Sequence, residues 1–347
     1  MPDLRSLDCE ELQTALAPFN WPAFRARQIY DWLQAKGARD ARGMTNLPLD
    51  MRGILDGRCF ISSCEIARKQ VSSIDGTVKY LFQLHDGELI ESVVMRYEHG
   101  RSICVSSQAG CNMGCVFCAS GEKGCARDLL PGEILAQILE AQNDLGERIS
   151  HVVLMGMGEP LDNYENVLRF IKLVSSPEGL NISQRRISLS TCGIAPMIGK
   201  LADERLGITL SISLHAANDK LRSELMPINK AYPLEALLRT CRAYTAKTSR
   251  RISFEYAMLR GVNDSQSHAH ELAALLKDML CHVNLIPANE LHGMTRSVAA
   301  RSSRASIQAF QEFLTRKGIA CTVRRSLGQD ISAACGQLRR QGTGERI

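Results

Sequence analysis

The chain has 347 residues, of which 45% are hydrophobic and 23% charged, the composition of an ordinary globular protein. This length accommodates one large domain with an appendage, or two domains. No run is long and apolar enough to span a bilayer, and the polar, acidic N-terminus is unlike a signal peptide, so we expect a cytoplasmic protein without a membrane partner.

The basic residues are dominated by arginine. The net charge of +5 is mild, but 31 of the 42 basic residues are arginine, whose planar fork suits phosphates and stacks on bases. Adjacent pairs occur at Arg185–Arg186, Arg250–Arg251, Arg324–Arg325 and Arg339–Arg340. Any single pair is most simply solvated surface charge, whereas the four together favour an RNA partner.

The first 60 residues predict a small helical domain. Helices are expected at Cys9–Leu16, Phe24–Lys36 and Thr45–Leu55. Such a domain has either a purely structural packing role or the role of holding a substrate against the rest of the chain. Its basic side chains suit the second role, recognition of RNA.

Residues 61–98 predict strands that pack on the following domain. Two of them are expected at Thr77–Leu84 and Leu89–Tyr97. Glu91 lies at the start of the second strand. A lone glutamate in this position is usually exposed to solvent, so the residues alone assign it no function.

From residue 99 to residue 327 the chain alternates between strand and helix patterns. Strands are predicted at Arg101–Ser107, His151–Met155, Arg186–Ser190, Gly207–Ser213, Arg251–Met258 and Cys281–Ile286. Helices are predicted between them at Pro131–Leu145, Asn163–Ser175, Ile194–Glu204, Pro233–Thr248 and Ser265–Leu280. Six alternations predict an α/β fold with a parallel sheet curved into a partial (β/α)6 barrel.

The barrel pattern is followed by a C-terminal extension. A helix at Arg304–Gly318 leads to a last strand at Ala320–Ser326. Residues 328–347 form a separate C-terminal segment, which carries Cys335 between small residues and ends in an arginine-rich tail. We expect this tail to be disordered beyond Leu338.

Three cysteines follow the first barrel strand. Cys111, Cys115 and Cys118 have C-x3-C-x2-C spacing. Closed zinc sites and complete iron–sulfur sites both use four protein ligands, so three thiolates on one short loop predict a metal centre with an open position. An iron with an open position can hold a small molecule through its amine and carboxylate. The alternative is a zinc knuckle completed by a distant histidine or cysteine.

Polar residues and glycines follow the other barrel strands. Function in barrels of this kind collects at the carboxyl ends of strands. Each residue has a simple structural explanation, such as a turn, a helix cap or a buried histidine, but their shared position predicts a binding site. Glu159 suits a cationic amine, and Ser190 and Asn289 suit carboxylate or ribose hydroxyls. The residues at this rim are Gly158, Glu159, Ser190, Ser213, Leu214, His215 and Asn289.

At these residues the sequence resembles the radical S-adenosylmethionine (SAM) RNA adenine methyltransferases of the RlmN/Cfr family. The resemblance covers nearly the whole chain, including a helical N-terminal module at Phe24–Leu55. The matching motifs are Cys104–Gly121, Met155–Leu161, Ser190–Ile194, Ser213–Ala216, Met226-Pro227-Ile228-Asn229, Gly261-Val262-Asn263-Asp264 and Asp330–Leu338.

The resemblance implies the cofactors and the roles of individual residues. A 4Fe–4S cluster would bind Cys111, Cys115 and Cys118, and SAM would bind the seven rim residues named above. Cys335 would carry the methyl group, Cys104 would form a transient disulfide with it, and Glu91 would accept a proton. Two molecules of SAM would be used in each turnover, one to methylate the Cys335 thiolate and one to supply a radical.

The resemblance also implies the substrate. The target would be an adenine ring carbon of 23S rRNA, most simply C2, and also of tRNA, with flavodoxin or ferredoxin as electron donor and a monomeric enzyme. The motif Gly158-Glu159-Pro160-Leu161 favours the C2 branch, whereas the short chain favours the C8 branch, which confers antibiotic resistance. C8 methylation is therefore the alternative.

Two further alternatives assign the protein a function other than methylation of RNA. In the first, the protein is a non-catalytic iron–sulfur protein that binds RNA; the pair of Cys335 and Cys104 argues against it, because a structural protein has no need of a resolving thiol. In the second, the protein is a radical SAM enzyme acting on a small molecule. The arginine pairs and the N-terminal helical domain argue against this one.

Overall fold

A ten-stranded sheet forms the centre of the protein, as seen in a computed structural model that describes residues 2–289 and 300–338. The strands among these residues are β1 Cys64–Val71, β2 Val78–Leu84, β3 Leu89–Tyr97, β4 Gly100–Cys104, β5 Gln108–Gly110, β6 Cys125–Asp128, β7 Ile149–Leu154, β8 Ile187–Thr191, β9 Thr209–Ser213, β10 Ile252–Met258, β11 Cys281–Pro287 and β12 Cys321–Val323. The large sheet has the order β1-β2-β3-β4-β7-β8-β9-β10-β11-β12, while β5 and β6 form a separate hairpin.

The sheet has a parallel part and an antiparallel part. Strands β4, β7, β8, β9, β10 and β11 pair in parallel, and β12 adds to β11 in the same direction. Strands β1 to β3 extend the β4 edge in antiparallel order. The predicted α/β architecture with six consecutive parallel strands is therefore confirmed.

Helices connect the parallel strands. They are α4 Pro131–Leu145, α5 Tyr164–Val174, α6 Ala195–Asp203, α7 Asp219–Leu225, α8 Leu234–Thr248, α9 Gln266–Leu275 and α10 Arg304–Arg316. Helix α4 illustrates why they form where they do: Pro131 occupies its first turn, the Glu133 carboxylate accepts from the Leu130 N–H at 2.9 Å, and Gly146 ends it with φ +63°. Because the strands from β4 to β11 in this series are parallel, their carboxyl ends lie at the same edge of the sheet.

The N-terminal helices have a hydrophobic core of their own. They are α1 Cys9–Leu16, α2 Phe24–Gln34 and α3 Leu49–Arg58, and their buried side chains form a cluster separate from the core of the sheet. Asp3 attaches this region to the sheet by accepting from the Ser62 N–H at 2.7 Å, and Ser6 accepts from the Gly132 N–H at 2.9 Å. The expected role of this region in RNA recognition stays a prediction.

Some helices begin or end at residues other than those predicted. Helix α3 begins at Leu49 rather than Thr45, because Pro48 is extended at ψ 150° and sets the helix start. Helix α9 ends at Leu275, five residues before the predicted end, and helix α7 and the β5–β6 hairpin were not predicted. The tail beyond Leu338, with the pair Arg339–Arg340, lies outside the described residues. Among the helices described, none combines the length and apolarity that crossing a bilayer requires.

Residues 328–338, here called the C-terminal strap, cross from the β1–β2 turn to the cysteine loop. At its start the Asp330 carboxylate accepts from the Ser72 hydroxyl at 2.7 Å and from the Ser73 N–H at 3.0 Å. Near its end the Gly336 carbonyl accepts from the Ala119 N–H at 2.8 Å, and the Ser120 hydroxyl donates to the Leu338 carbonyl at 2.8 Å. The strap therefore holds Cys335 beside the cysteine loop.

Candidate active site

A cleft opens at the carboxyl ends of the parallel strands, and it contains the three cysteines. Cys111, Cys115 and Cys118 line one wall, on the loop between β5 and β6. The cleft comprises about 1050 Å³ of space, including its open mouth. Its lining combines apolar side chains with a few polar groups, as ligand sites commonly do.

The thiols in this wall are partly buried. Burial raises the pKa of Cys111 to about 12, and it also raises the pKa of Cys115 and of Cys118. In each case the neighbouring cysteines also contribute, because thiolates close together repel one another. Three such groups on one wall need a cationic centre to become thiolates.

A glycine loop after β7 approaches the first barrel strand closely. A Cβ on Gly156 would lie 2.5 Å from the Val105 carbonyl oxygen. Gly158 has φ +105°, and a Cβ there would lie 2.7 Å from the Ser107 hydroxyl oxygen. Neither position has room for a side chain, so the loop backbone itself forms the floor beside the cysteines.

Glu159 joins the loops that follow two strands. Its buried carboxylate accepts from the Cys192 N–H at 2.7 Å and from the Leu161 N–H at 3.0 Å. Burial raises the pKa of Glu159, and the hydrogen bonds from Cys192 and Thr191 oppose that change. The carboxylate faces the cleft, where a cationic group would compensate its burial.

His215 is held as a neutral imidazole at the base of the cleft. Its Nδ1 accepts from the Ala257 N–H at 2.9 Å, so the ring proton resides on Nε2. Burial lowers the pKa of His215 to about 3, and the positive charge of Arg222 contributes. The backbone of His215 is left-handed, with φ +56°, and its ring lies 4.6 Å from the ring of Phe117.

The buried state of His215 predicts a pH-dependent stability. Its folded pKa lies below the value of the unfolded chain, so the unfolded chain binds the extra proton and stability falls as the pH drops below about 6.5. We expect the free energy of unfolding to fall by about 1.4 kcal/mol between pH 7.5 and 5.5 from this group alone. Denaturant unfolding of the wild type and of His215→Asn, which keeps an acceptor and tolerates positive φ, measures it. Equal pH slopes in the two proteins would contradict the assignment.

Asn289 presents a buried, unsatisfied oxygen to the cleft. Its side-chain amide donates to the Cys335 carbonyl at 3.2 Å, while its Oδ1 has no hydrogen-bond partner among the described residues. Ser190 and Ser213 line the same cleft. Leu214 does not: its side chain is fully buried in the core, its N–H donates to the Glu255 carbonyl, and its carbonyl accepts from Arg222.

The structure brings Cys335 into the cleft and places Cys104 next to it. Cys335 lines the cleft together with the three cysteines of the loop. Cys104 ends β4 and is buried, and it lines an adjoining cavity that Cys335 also lines. Burial raises the pKa of Cys104 to about 12, with a further contribution from Cys335. Both cysteines are free thiols.

Glu91 lies outside the cleft. Its buried carboxylate is 2.8 Å from the Lys79 ammonium, and it lines a different cavity, under Asp330, Ile331 and Ser332 of the C-terminal strap. It is on the same face of the sheet as Val93, which lines the cavity of Cys104. The expectation of an exposed side chain at this strand start is wrong, because the strap covers it.

Arg222 organises the rim and was not predicted as a functional residue. It is fully buried on α7 and donates to the carbonyls of Cys192, Leu214 and Ser213 at 2.7 Å, 3.2 Å and 3.2 Å, respectively. A further bond of 2.8 Å reaches the Asn229 side chain. The arginine therefore fixes the loops after β8 and β9. A sequence signal for α7 existed in Asn218, whose side chain caps the helix.

Arg324 is the second functional candidate that the sequence did not indicate. It follows β12, and its side chain faces the cleft and the cavity of Cys104. For the pair Arg324–Arg325 taken alone, the simplest prediction was solvated surface charge. The structure separates the two: Arg325 is exposed, whereas the Arg324 side chain is only 25% exposed.

The donors in the cleft fit an iron–sulfur cluster and SAM. Three partly buried thiols with raised pKa values fit the iron of a cluster. The buried carboxylate of Glu159 and the unsatisfied Oδ1 of Asn289 fit the amine and a hydroxyl group of SAM. No group of three His, Cys, Asp or Glu side chains in residues 2–289 and 300–338 is arranged to hold a single metal ion. A cluster binds each thiolate to a different iron, so its cysteines stand further apart than the ligands of one zinc ion.

Two sequence profiles match the chain. The profile of the Radical SAM superfamily matches residues 105–273, which include the three cysteines and the rim as far as His215. The profile described as "Ribosomal RNA large subunit methyltransferase N-terminal domain" matches residues 2–61, the region of the N-terminal helices.

Similar proteins match over nearly their full length. The protein from Clostridium novyi (strain NT) named "Probable dual-specificity RNA methyltransferase RlmN" is 49% identical over 98% of both chains. The protein of the same name from Thermoanaerobacter sp. (strain X514) is 48% identical over 100% of both chains. The crystal structure of a radical SAM methyltransferase from Sphaerobacter thermophilus has a TM-score of 0.93 and 43% identity, and covers 98% of this chain and 99% of that one.

Proposed function

Because the chain belongs to the RlmN family of radical SAM RNA methyltransferases, we propose that it methylates carbon C2 of an adenine in 23S rRNA. The relatives named as dual-specificity enzymes support a second RNA substrate, which we propose to be tRNA. We also propose that the enzyme is a monomer that uses two molecules of SAM per turnover and takes electrons from flavodoxin or ferredoxin.

The observation that carries this proposal is the position of Cys335 between the three cysteines of the loop and Cys104. On one side it shares the cleft with the three cysteines of the loop, and on the other it shares a cavity with Cys104. A thiol with these neighbours can take up a methyl group in the cleft. Its sulfur can afterwards be attacked by a second thiol that never enters the cleft.

The residues of the cleft divide the work. When bound, the cluster and SAM supply the methyl group and the one-electron chemistry that an electron-poor aromatic carbon requires. Cys111, Cys115 and Cys118 would hold the cluster, and Glu159 would face the amine of SAM. Asn289 would accept from a SAM hydroxyl through Oδ1 while its amide keeps the Cys335 backbone in place.

Cys335 and Cys104 would then act in sequence. The Cys335 sulfur first becomes a thioether by accepting a methyl group. Its methyl carbon would then give up one hydrogen atom to the radical that SAM supplies and bond to the adenine ring, and one electron would pass from the joined ring to the cluster. The Cys104 thiolate attacks that sulfur, so an S–S bond forms and the S–C bond to the product breaks. The ring loses its proton to a base, and the released carbon takes up a proton to complete the methyl group. Reduction of the disulfide by an external dithiol returns both thiols.

Glu91 is our proposal for the base. It lies on the sheet face of Cys104, and its carboxylate is 2.8 Å from the Lys79 ammonium. Ser332 of the C-terminal strap accepts from Lys79 at 3.2 Å. A shift of the strap that moves Cys335 therefore also disturbs the environment of Glu91.

The test is a product analysis. Cluster-loaded protein is incubated without oxygen with SAM, a reductant and unmodified 23S rRNA fragment or tRNA, and the digested RNA is analysed by mass spectrometry. We expect 2-methyladenosine from the wild type and none from Cys335→Ala, because that variant has no methyl carrier. Cys281→Ala, at the amino end of β11 and not in the lining of the cleft, is the matched control and should retain activity.

The other outcomes decide between the alternatives. Formation of 8-methyladenosine would overturn C2 methylation in favour of the C8 reaction. An unmodified RNA from wild-type protein that has an intact cluster and still cleaves SAM would refute the RNA assignment. Product from rRNA but not from tRNA would refute only the second substrate.

A further inference from the structure

Arg324 connects the cleft with the cavity of Cys104. Its guanidinium lines both spaces and also the polar interior of the barrel below them. Its Nη1 lies 3.4 Å from the Met155 sulfur and 4.0 Å from Oε2 of Glu255. The backbone N–H of Arg324 is bound to the Leu285 carbonyl at 2.9 Å, which anchors the residue to β11.

Glu255 contacts Arg324 from the interior of the barrel but does not form a hydrogen bond with its guanidinium. Its Oε1 accepts from Ser253 at 3.2 Å and from Asn284 at 3.1 Å, whereas Oε2 has no hydrogen-bond partner within the described part of the chain. A separation of 4.0 Å is an ionic contact rather than a hydrogen bond. The five N–H donors of the guanidinium are thus not consumed by this carboxylate.

The charge of Arg324 is coupled to both thiols as well as to Glu255. Cys335 raises the pKa of Arg324 most, against the effect of burial, and Glu255 and Cys104 raise it further. Conversely, burial and Cys335 raise the pKa of Cys104, whereas Arg324 lowers it. A buried thiol that must act as a nucleophile needs a cation of this kind beside it.

We propose that Arg324 is a positioning residue that stabilises the thiolate of Cys104 and so enables it to attack the sulfur of Cys335. The inference rests on the proposed function, because it assumes that the two cysteines form a disulfide during turnover. It adds a residue whose effect is exerted through Cys104. Arg324 itself does not need to touch SAM or RNA.

The competing explanation is that Arg324 only neutralises the buried carboxylate of Glu255. The two explanations differ in what happens when both charges are removed. If Arg324 serves Glu255 alone, Arg324→Gln combined with Glu255→Gln restores normal thiol reactivity. If Arg324 serves Cys104, the double variant stays slow and Glu255→Gln alone stays fast.

The reactivity of Cys104 can be measured without RNA or SAM. Cluster-loaded protein is treated with oxidised glutathione in the absence of oxygen, and the peptides joined through Cys104 and Cys335 are quantified by mass spectrometry. The Cys335 thiolate attacks the glutathione disulfide and releases one glutathione thiol. The Cys104 thiolate then attacks the Cys335 sulfur and releases the second, so two protein thiols are oxidised and one disulfide reagent is reduced.

We expect Arg324→Gln to form the Cys104–Cys335 disulfide about tenfold more slowly at neutral pH, with the rate profile moved to higher pH. Arg324→Lys keeps a cation and should retain a rate within about threefold of the wild type. Arg316→Gln removes the same charge from the exposed end of α10 and should leave the rate unchanged. Thermal unfolding and the visible absorption of the cluster check that each variant is folded.

Equal rates and pH profiles for Arg324→Gln and the wild type would overturn this inference and leave the proposed function intact. A double variant with Glu255→Gln that regains the wild-type rate would overturn it in favour of simple charge neutralisation. A wild-type protein that forms no disulfide between these two cysteines would overturn both the inference and the proposed function.

Discussion

Replacing Cys115 by alanine is expected to remove bound iron from the protein and all RNA methylation with it. Cys115 is the middle cysteine of the three, and its loss would leave the cluster with only two of its three proposed ligands. Removing a residue that hydrogen-bonds to a metal ligand lowers metal affinity by about 10–100-fold, so we expect removal of the ligand itself to lower it further. Iron content and visible absorption after anaerobic reconstitution measure the effect.

Cys125 provides the matched control for this prediction. It stands seven residues after Cys118, its N–H binds the Asn112 side chain at 2.8 Å, and it does not line the cleft. We expect Cys125→Ala to keep its iron and its activity. Iron that survives in Cys115→Ala, or that is lost in Cys125→Ala, would mean that the ligand set differs from the three cysteines proposed.

Replacing Arg222 by methionine is expected to destabilise the fold by about 3–5 kcal/mol, because a buried, fully bonded charged group is lost and its partners stay behind. The three backbone carbonyls and the Asn229 side chain that it binds would be left without their donor. Since these carbonyls belong to the loops after β8 and β9, SAM binding should weaken as well. Denaturant unfolding and calorimetric titration with SAM measure the two effects.

Arg239→Met is the control for Arg222→Met, because it removes an exposed arginine from α8 and changes the net charge by the same amount. We expect it to stay within about 0.5 kcal/mol of the wild type. A similar loss of stability in both variants would show that the buried hydrogen bonds of Arg222 contribute little. Unchanged SAM affinity in Arg222→Met would show that the rim does not depend on it.

The parallel part of the fold was predictable because its signals are local. Strands of the series are short runs such as Thr209–Ser213, in which apolar and polar residues alternate, and helix α4 begins with Pro131, which fits the first turn. Helix α7 was missed because seven residues give too little periodicity. The β5–β6 hairpin was missed because its pairing partners, Gln108 and Asp128, are joined by a loop without strand character.

The sequence predicted those site residues whose position follows from the order of the strands alone. Residues at the carboxyl ends of neighbouring parallel strands must meet, and Cys118, Glu159 and Asn289 do line one cleft. Arg222 and Arg324 could not be identified in this way, because an arginine on a helix or beyond a last strand usually faces solvent. The covering of Glu91 by the strap is also a tertiary effect, set by residues more than 200 positions away.

The strap also sets the point during synthesis at which the protein can become chemically competent. Asp330 docks onto Ser72 across 258 residues of chain, and the segment between them contains every parallel strand. A nascent chain therefore carries the cysteine loop, the rim and Cys104 long before it carries Cys335. Under the proposed role of Cys335, such a chain has no methyl acceptor, and translation has to pass residue 338 before the ribosome's own RNA can become its substrate.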